Sequence, residues 1–282
     1  MRVAVSTAVK SSRRKLTHVI PSQGRGNVTA VAAVGDELYV LRFYMSKVEV
    51  YDAVSVTLKR HLTVPGPVQS SYGLAVCPFN NCLYASGTDS NTVYRVHLTG
   101  RKAPKRWPVA RTPVGLSVNN AHNLVVACFD SNKLQEYTKR GFLMREIDLG
   151  TEGVGNPWHA VQLSNGAYVV SQSRPSGVVS VIGVDRRVIC NYGQSSDFGE
   201  MNVPEFESLA VTTNDDIVVA DKENGRIVLI RRSTACTEEL ALPVEGGIQR
   251  PMALCLDESR GRLYVGESSG EHRVLVFDNV IL

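Results

Sequence analysis

Asp36-Glu-Leu-Tyr-Val40 decides the fold, because five near-copies follow it: Asn81-Cys-Leu-Tyr-Ala85, His122-Asn-Leu-Val-Val126, Asn165-Gly-Ala-Tyr-Val169, Asp215-Asp-Ile-Val-Val219 and Gly261-Arg-Leu-Tyr-Val265. In each copy, turn-favouring residues open onto a short apolar run with strand propensity. The third residues, Leu38, Leu83, Leu124, Ala167, Ile217 and Leu263, recur at intervals of 41 to 50 residues. A period of that size is the signature of a radially repeated β architecture.

Three further strands surround each copy. A small, apolar strand precedes it, as in Gly73-Leu-Ala-Val76, Gly115-Leu-Ser-Val118, Ser208-Leu-Ala-Val211 and Ala253-Leu-Cys-Leu256; apolar character on both faces marks a central strand. An alternating strand follows, including Val48-Glu-Val-Tyr51, Val93-Tyr-Arg-Val96 and Arg273-Val-Leu-Val-Phe277, which is the pattern of a half-exposed strand. A more polar run closes the unit, as in Leu58-Lys-Arg-His-Leu62 and Leu143-Met-Arg-Glu-Ile147. Charges there discourage edge-to-edge pairing. The expected fold is an all-β, six-bladed β-propeller. Its sixth blade has no outer strand after Phe277, so Lys15-Leu-Thr-His-Val-Ile20 is expected to close it. Residues 1–14 are read as a basic, flexible N-terminus and residues 15–282 as the propeller.

The fifth unit, Val218-Val-Ala-Asp-Lys-Glu-Asn-Gly-Arg-Ile-Val228, resembles the NHL repeat, in which an apolar strand ends in Ala-Asp and a turn delivers Asn-x-Arg-[Ile/Val]. Asp221 can accept turn amides, and Asn224-Gly225 suits a tight turn with positive φ. The other units drift at the turn, as in Asp89-Ser-Asn91 and Glu267-Ser-Ser-Gly-Glu271. The chain is similar to the C-terminal NHL domain of tripartite-motif (TRIM) proteins. That resemblance implies a non-catalytic recognition module for a protein partner or RNA, the substrate-recognition part of a TRIM-type ubiquitin ligase. The clustered Cys and His ligands of a RING or B-box are absent from this sequence.

Composition is that of a globular chain, with 43% hydrophobic and 21% charged residues and no apolar run of the roughly 18 residues that span a bilayer. No membrane partner is therefore expected, and the propeller is expected to be monomeric unless joined to an oligomerising region. The net charge of +4 is too mild to dictate a nucleic-acid partner. Pairs such as Arg101-Lys102, Lys139-Arg140, Arg186-Arg187 and Arg231-Arg232 are expected to form a basic rim at the turns between third and fourth strands. The six cysteines show no C-x-x-C pair and no zinc spacing. No secretory segment follows the basic start, so buried free thiols in a cytoplasmic protein are expected, although Cys77 and Cys82 could face each other across a hairpin.

Side chains just ahead of the small apolar strands should line one mouth of the central channel. These slots hold Val28-Thr29, Tyr72-Gly73, Val114-Gly115, Trp158-His159, Glu207-Ser208 and Met252-Ala253. Tyr72, Phe129, Trp158 and Phe206 are candidate stacking platforms, with Arg111, Arg174 and Arg250 as charged contacts. His159 is either a ligand-facing group or a hydrogen-bonded histidine filling a small slot. Two chemical residues, His159 and Glu207, are too few for a metal site, and Gly-x-Ser-x-Gly is absent. No catalytic residue, metal or cofactor is expected, and the enzyme alternative is a metal-assisted lyase or hydrolase centred on His159 and Glu207.

Overall fold

The computed structural model describes residues 14–22, 26–65, 71–173, 177–193, 204–234 and 236–282, so residues 1–13 of the basic N-terminus lie outside the described residues. Six four-stranded antiparallel sheets form a six-bladed propeller. From the channel outward, blade one is β2 (Val28–Val34), β3 (Glu37–Arg42), β4 (Lys47–Asp52) and β5 (Leu58–Thr63), and blade two is β6 (Leu74–Cys77), β7 (Cys82–Gly87), β8 (Thr92–His97) and β9 (Lys105–Pro108). Blade three is β10 (Pro113–Val118), β11 (Leu124–Cys128), β12 (Lys133–Tyr137) and β13 (Leu143–Asp148), and blade four is β14 (Pro157–Gln162), β15 (Tyr168–Gln172), β16 (Val179–Ile182) and β17 (Val188–Tyr192). Blade five is β18 (Phe206–Val211), β19 (Ile217–Asp221), β20 (Arg226–Arg231) and β21 (Cys236–Glu239). In blade six, β22 (Pro251–Asp257), β23 (Arg262–Glu267) and β24 (Val274–Asp278) are completed by β1 (Lys15–Ile20), which pairs antiparallel with β24 from Lys15↔Asp278 to Ile20↔Val274. A single 3₁₀ turn, Gly150–Glu152, is the only helical element among the described residues, and none of them forms a helix able to cross a membrane.

The core is not inside the blades but between them. Tyr39, Leu41, Val48 and Val50 of blade one pack on Leu74, Leu83, Tyr94 and Val96 of blade two. Equivalent clusters fill the other five seams, and the last joins Tyr264, Val274 and Val276 to Val28, Leu38 and Val40. A lone blade would leave both apolar faces in water, so the ring folds as a unit. Near the channel the inner strands approach so closely that a Cβ at Gly73 would lie 2.1 Å from the Val114 carbonyl oxygen, and one at Gly115 would lie 2.2 Å from that of Trp158.

The NHL-like residues are architectural. Buried Asp221 accepts hydrogen bonds from the Arg226 guanidinium (2.8 Å), the Asn224 side-chain amide (2.8 Å) and the Glu205 backbone N–H (3.2 Å), and Gly225 has φ +63°. Glu267, at the same end of β23, takes the Arg273 guanidinium and the Gln249 N–H. Each acid ties its turn to the incoming chain from the preceding blade. Cys77 and Cys82 are register partners in a β6–β7 hairpin, and both are buried as free thiols.

Candidate functional site

One irregularity recurs where the inner strands begin. Register shifts interrupt β2 between Val28 and Ala30, β10 between Pro113 and Leu116, β14 between Pro157 and His159, β18 between Phe206 and Leu209, and β22 between Pro251 and Ala253. The inserted residues include Thr29, Trp158, Glu207 and Met252, so five of the six expected channel slots are β-bulges. A bulge re-aims a side chain that regular pleating would send elsewhere.

The bulges and the turns above them build a mouth with two unlike halves. Over blades one to four, rings follow one another: Tyr44 to Phe43 at 4.2 Å between centroids, Phe43 to Tyr72 at 5.3 Å, Tyr72 to Trp158 at 5.4 Å and Trp158 to Phe129 at 6.0 Å. Blades five and six supply charges. Lys222 Nζ lies 2.8 Å from Glu207 and 3.1 Å from Glu205, and Arg250 lies 3.1 Å from Glu223 and 3.8 Å from Glu205. The halves meet where the Lys222 ammonium stands 6.0 Å from the Trp158 ring centroid, within reach of a cation–π contact. A cavity of about 290 Å³ between them is lined by Asn27, Phe43, Tyr72, Trp158, Lys222 and Arg250, among others.

Glu207 is the chemically unusual member. Its side chain is 0% exposed, Oε1 accepts from Lys222, and buried Oε2 has no partner among the described residues. Burial pushes its pKa up to about 7, against the opposing pull of Lys222. Burial also works against the charge on Lys222, but the carboxylates of Glu207 and Glu205 outweigh it and hold the ammonium above the ordinary lysine range. Tyr72 is raised as well, chiefly by burial and then by Glu207.

His159 proves to be a clamp between blades. Its Nδ1 accepts from the Leu209 N–H of blade five at 3.0 Å, and Nε2 lies 3.1 Å from the Leu116 carbonyl of blade three. That arrangement fixes a neutral ring with Nε2 protonated. Burial accordingly lowers its pKa to about 4. Both nitrogens are spent on backbone, so the metal-assisted alternative loses its histidine. Lys222 already supplies the cation between Glu205 and Glu207, and no three of His, Cys, Asp and Glu converge among the described residues.

Of the other sequence-expected residues, Tyr72, Trp158 and Phe129 come together in the aromatic half, and Arg250, 46% exposed, joins the charged half. Arg111 is exposed on the chain entering blade three, and Arg174 lies outside the described residues. Phe206 is a correction. It is 0% exposed in the seam between blades four and five, so it offers no platform. Sequence reading missed Lys222 as a partner of Glu207, and also missed Phe43 and Glu205. Lys222 directly follows Asp221, which pairs with Phe206 beside Glu207, and that pairing of the first two strands of a blade was the one available signal for the pair. On the opposite face, Arg231 and Arg232 are neutralised by Asp216, Glu238 and Asp215, which breaks the expected basic rim in blade five.

No family model matches the chain, and no curated protein matches it. Solved structures do. Virginiamycin B lyase from Staphylococcus aureus superposes with a TM-score of 0.68 at 10% identity over 94% of this chain and 99% of that one. A streptogramin B lyase gives 0.68 at 12% identity over 94% and 97%, and hydrazine synthase from Kuenenia stuttgartiensis gives 0.65 at 17% over 90% and 77%. The shared feature is the propeller. These neighbours overturn the expectation of a non-catalytic recognition module of TRIM type: by name they are enzymes, and the likeness extends to the six-bladed fold without any NHL- or TRIM-specific feature.

Proposed function

We propose that the mouth is the active site of a small-molecule enzyme of the lyase or hydrolase type, in which Lys222 contacts the substrate and Glu207 serves Lys222 from behind. Glu207 carries this reading: a fully buried carboxyl at the opening of the channel, with one oxygen on Lys222 and the other unpaired among the described residues. Most buried polar atoms that serve architecture alone are paired, as both oxygens of Asp221 are. A carboxyl shifted by burial toward neutrality beside a cation in a cleft is the arrangement that acid–base chemistry uses.

Lys222 Nζ donates toward the substrate oxygen on which negative charge develops, in surroundings where such a donor acts more strongly than in water. After giving up a proton it draws another from Glu207, whose pKa of about 7 keeps a proton available at neutral pH. Two lyases with the same fold support an enzyme reading. Kinship with NHL repeats rests on Asp221, Asn224 and Arg226, whose contacts build the blade and say nothing of its substrate.

The test is turnover of a panel of esters, lactones and amides by the native protein and by Lys222→Met and Glu207→Gln. Loss of turnover in Lys222→Met and a displaced pH profile in Glu207→Gln are expected. Turnover that survives both substitutions overturns the assignment.

A further inference from the structure

We infer that the mouth selects a neutral carbonyl compound bearing an aromatic ring, an inference that rests on the reading of this mouth as a reactive site. The charged half sets the first requirement. An ammonium has three donors, and Lys222 spends two on Glu205 and Glu207 while its side chain lines the cavity. The third donor is left for an acceptor in the cavity.

That acceptor is uncharged because of what stands around the lysine. A ligand carboxylate on Nζ would lie beside the Glu205 carboxylate, 3.1 Å from the same nitrogen, and like charges at that range are strongly opposed. A ligand ammonium would instead meet Lys222 and Arg250. A carbonyl oxygen takes the free donor without either conflict. Facing it, Tyr72 and Trp158 stand edge to face at 5.4 Å with Phe43 beside them, which suits a further ring in offset or T-shaped contact. The cavity of about 290 Å³ is at the small end of ligand sites, with room for one ring and a short carbonyl arm.

Calorimetric titration with four probes tests this: N-acetylphenylalanine methyl ester, its alanine counterpart, the free acid N-acetylphenylalanine, and phenylalanine methyl ester, which is cationic. The neutral aromatic ester should bind about tenfold or more tightly than each of the others, as one well-placed ring or one avoided charge clash allows. Tyr72→Ala and Phe43→Ala should each erase the preference for phenylalanine over alanine, with melting temperature confirming that both variants are folded. Equal binding of all four probes, tightest binding of either charged probe, or no binding of any at its solubility limit overturns the inference. Because binding is read without turnover, selectivity with no reaction leaves the ligand class standing and removes the chemistry. Turnover with no selectivity does the reverse.

Discussion

The guanidinium of Arg42 meets the carboxylate of Glu49 at 3.1 Å, with their side chains only 1% and 3% exposed. The same guanidinium donates to the carbonyls of Pro21, Gly26 and His272. One side chain therefore joins the strand that closes the ring, the chain leaving it, blade one and blade six. Arg42→Ala leaves a buried acid and three carbonyls without this donor, and should cost about 3–5 kcal/mol in urea unfolding. Deleting residues 1–21 removes β1 and should lower the melting temperature further, because it uncovers β24. Unchanged stability in the deletion would refute this closure.

Two buried groups should give opposite pH slopes. Glu207 is raised from 4.5 to about 7, so the folded state holds a proton that the unfolded chain has lost, and stability falls as pH rises through that window. His159 is lowered from 6.5 to about 4. There the unfolded chain holds the extra proton, and stability is lost as pH falls from 6.5 toward 4. Between 4.5 and 6.5 the two contributions oppose each other. Glu207→Gln should therefore make stability climb with pH across this range, and His159→Gln should make it decline, each by on the order of 1 kcal/mol per pH unit. Denaturant midpoints at several pH values measure both slopes, and parallel slopes in the two variants would rule the scheme out.

Gly115→Ala should destabilise strongly, by at least the 1–3 kcal/mol typical of overpacking. The obstacles to its Cβ are backbone, the Trp158 carbonyl oxygen at 2.2 Å and the His159 Cα at 2.7 Å, and they cannot swing aside as a side chain can. Gly153→Ala meets no atom within 4 Å, although its φ of +75° still penalises alanine. Thermal melts of the two variants separate steric conflict from backbone strain, and the larger drop belongs to Gly115→Ala.

Lys222→Met should reduce kcat by about 100-fold or more if Lys222 is the proton donor, and should also destabilise the fold by removing the cation that Glu207 is bonded to. Adding Glu207→Gln should recover part of the stability without recovering turnover. Recovery of both in the double variant would show that the lysine is structural.

The sequence by itself determined the repeat, the number of blades, the strand that closes the ring and where the inner strands lie, because these follow from period and alternation. Asp36 to Val40 and its five copies are enough to place every second strand, and local turn chemistry explains Asp221 and Gly225. Tertiary structure alone decided which side chains at those positions reach the mouth and what they touch there. Phe206 and Glu207 are neighbours on one strand, and only the bulge after Phe206 sends the ring into the seam between blades and the carboxyl to the mouth. Glu207 and Lys222 meet because β18 pairs with β19 within blade five, whereas Phe43, Tyr72 and Trp158 belong to three different blades, and only ring closure brings them together. The same applies to His159, whose slot was legible but whose two backbone partners belong to the blades on either side. Hydrogen bonds across a seam exist only once six separate units have been packed around a common axis.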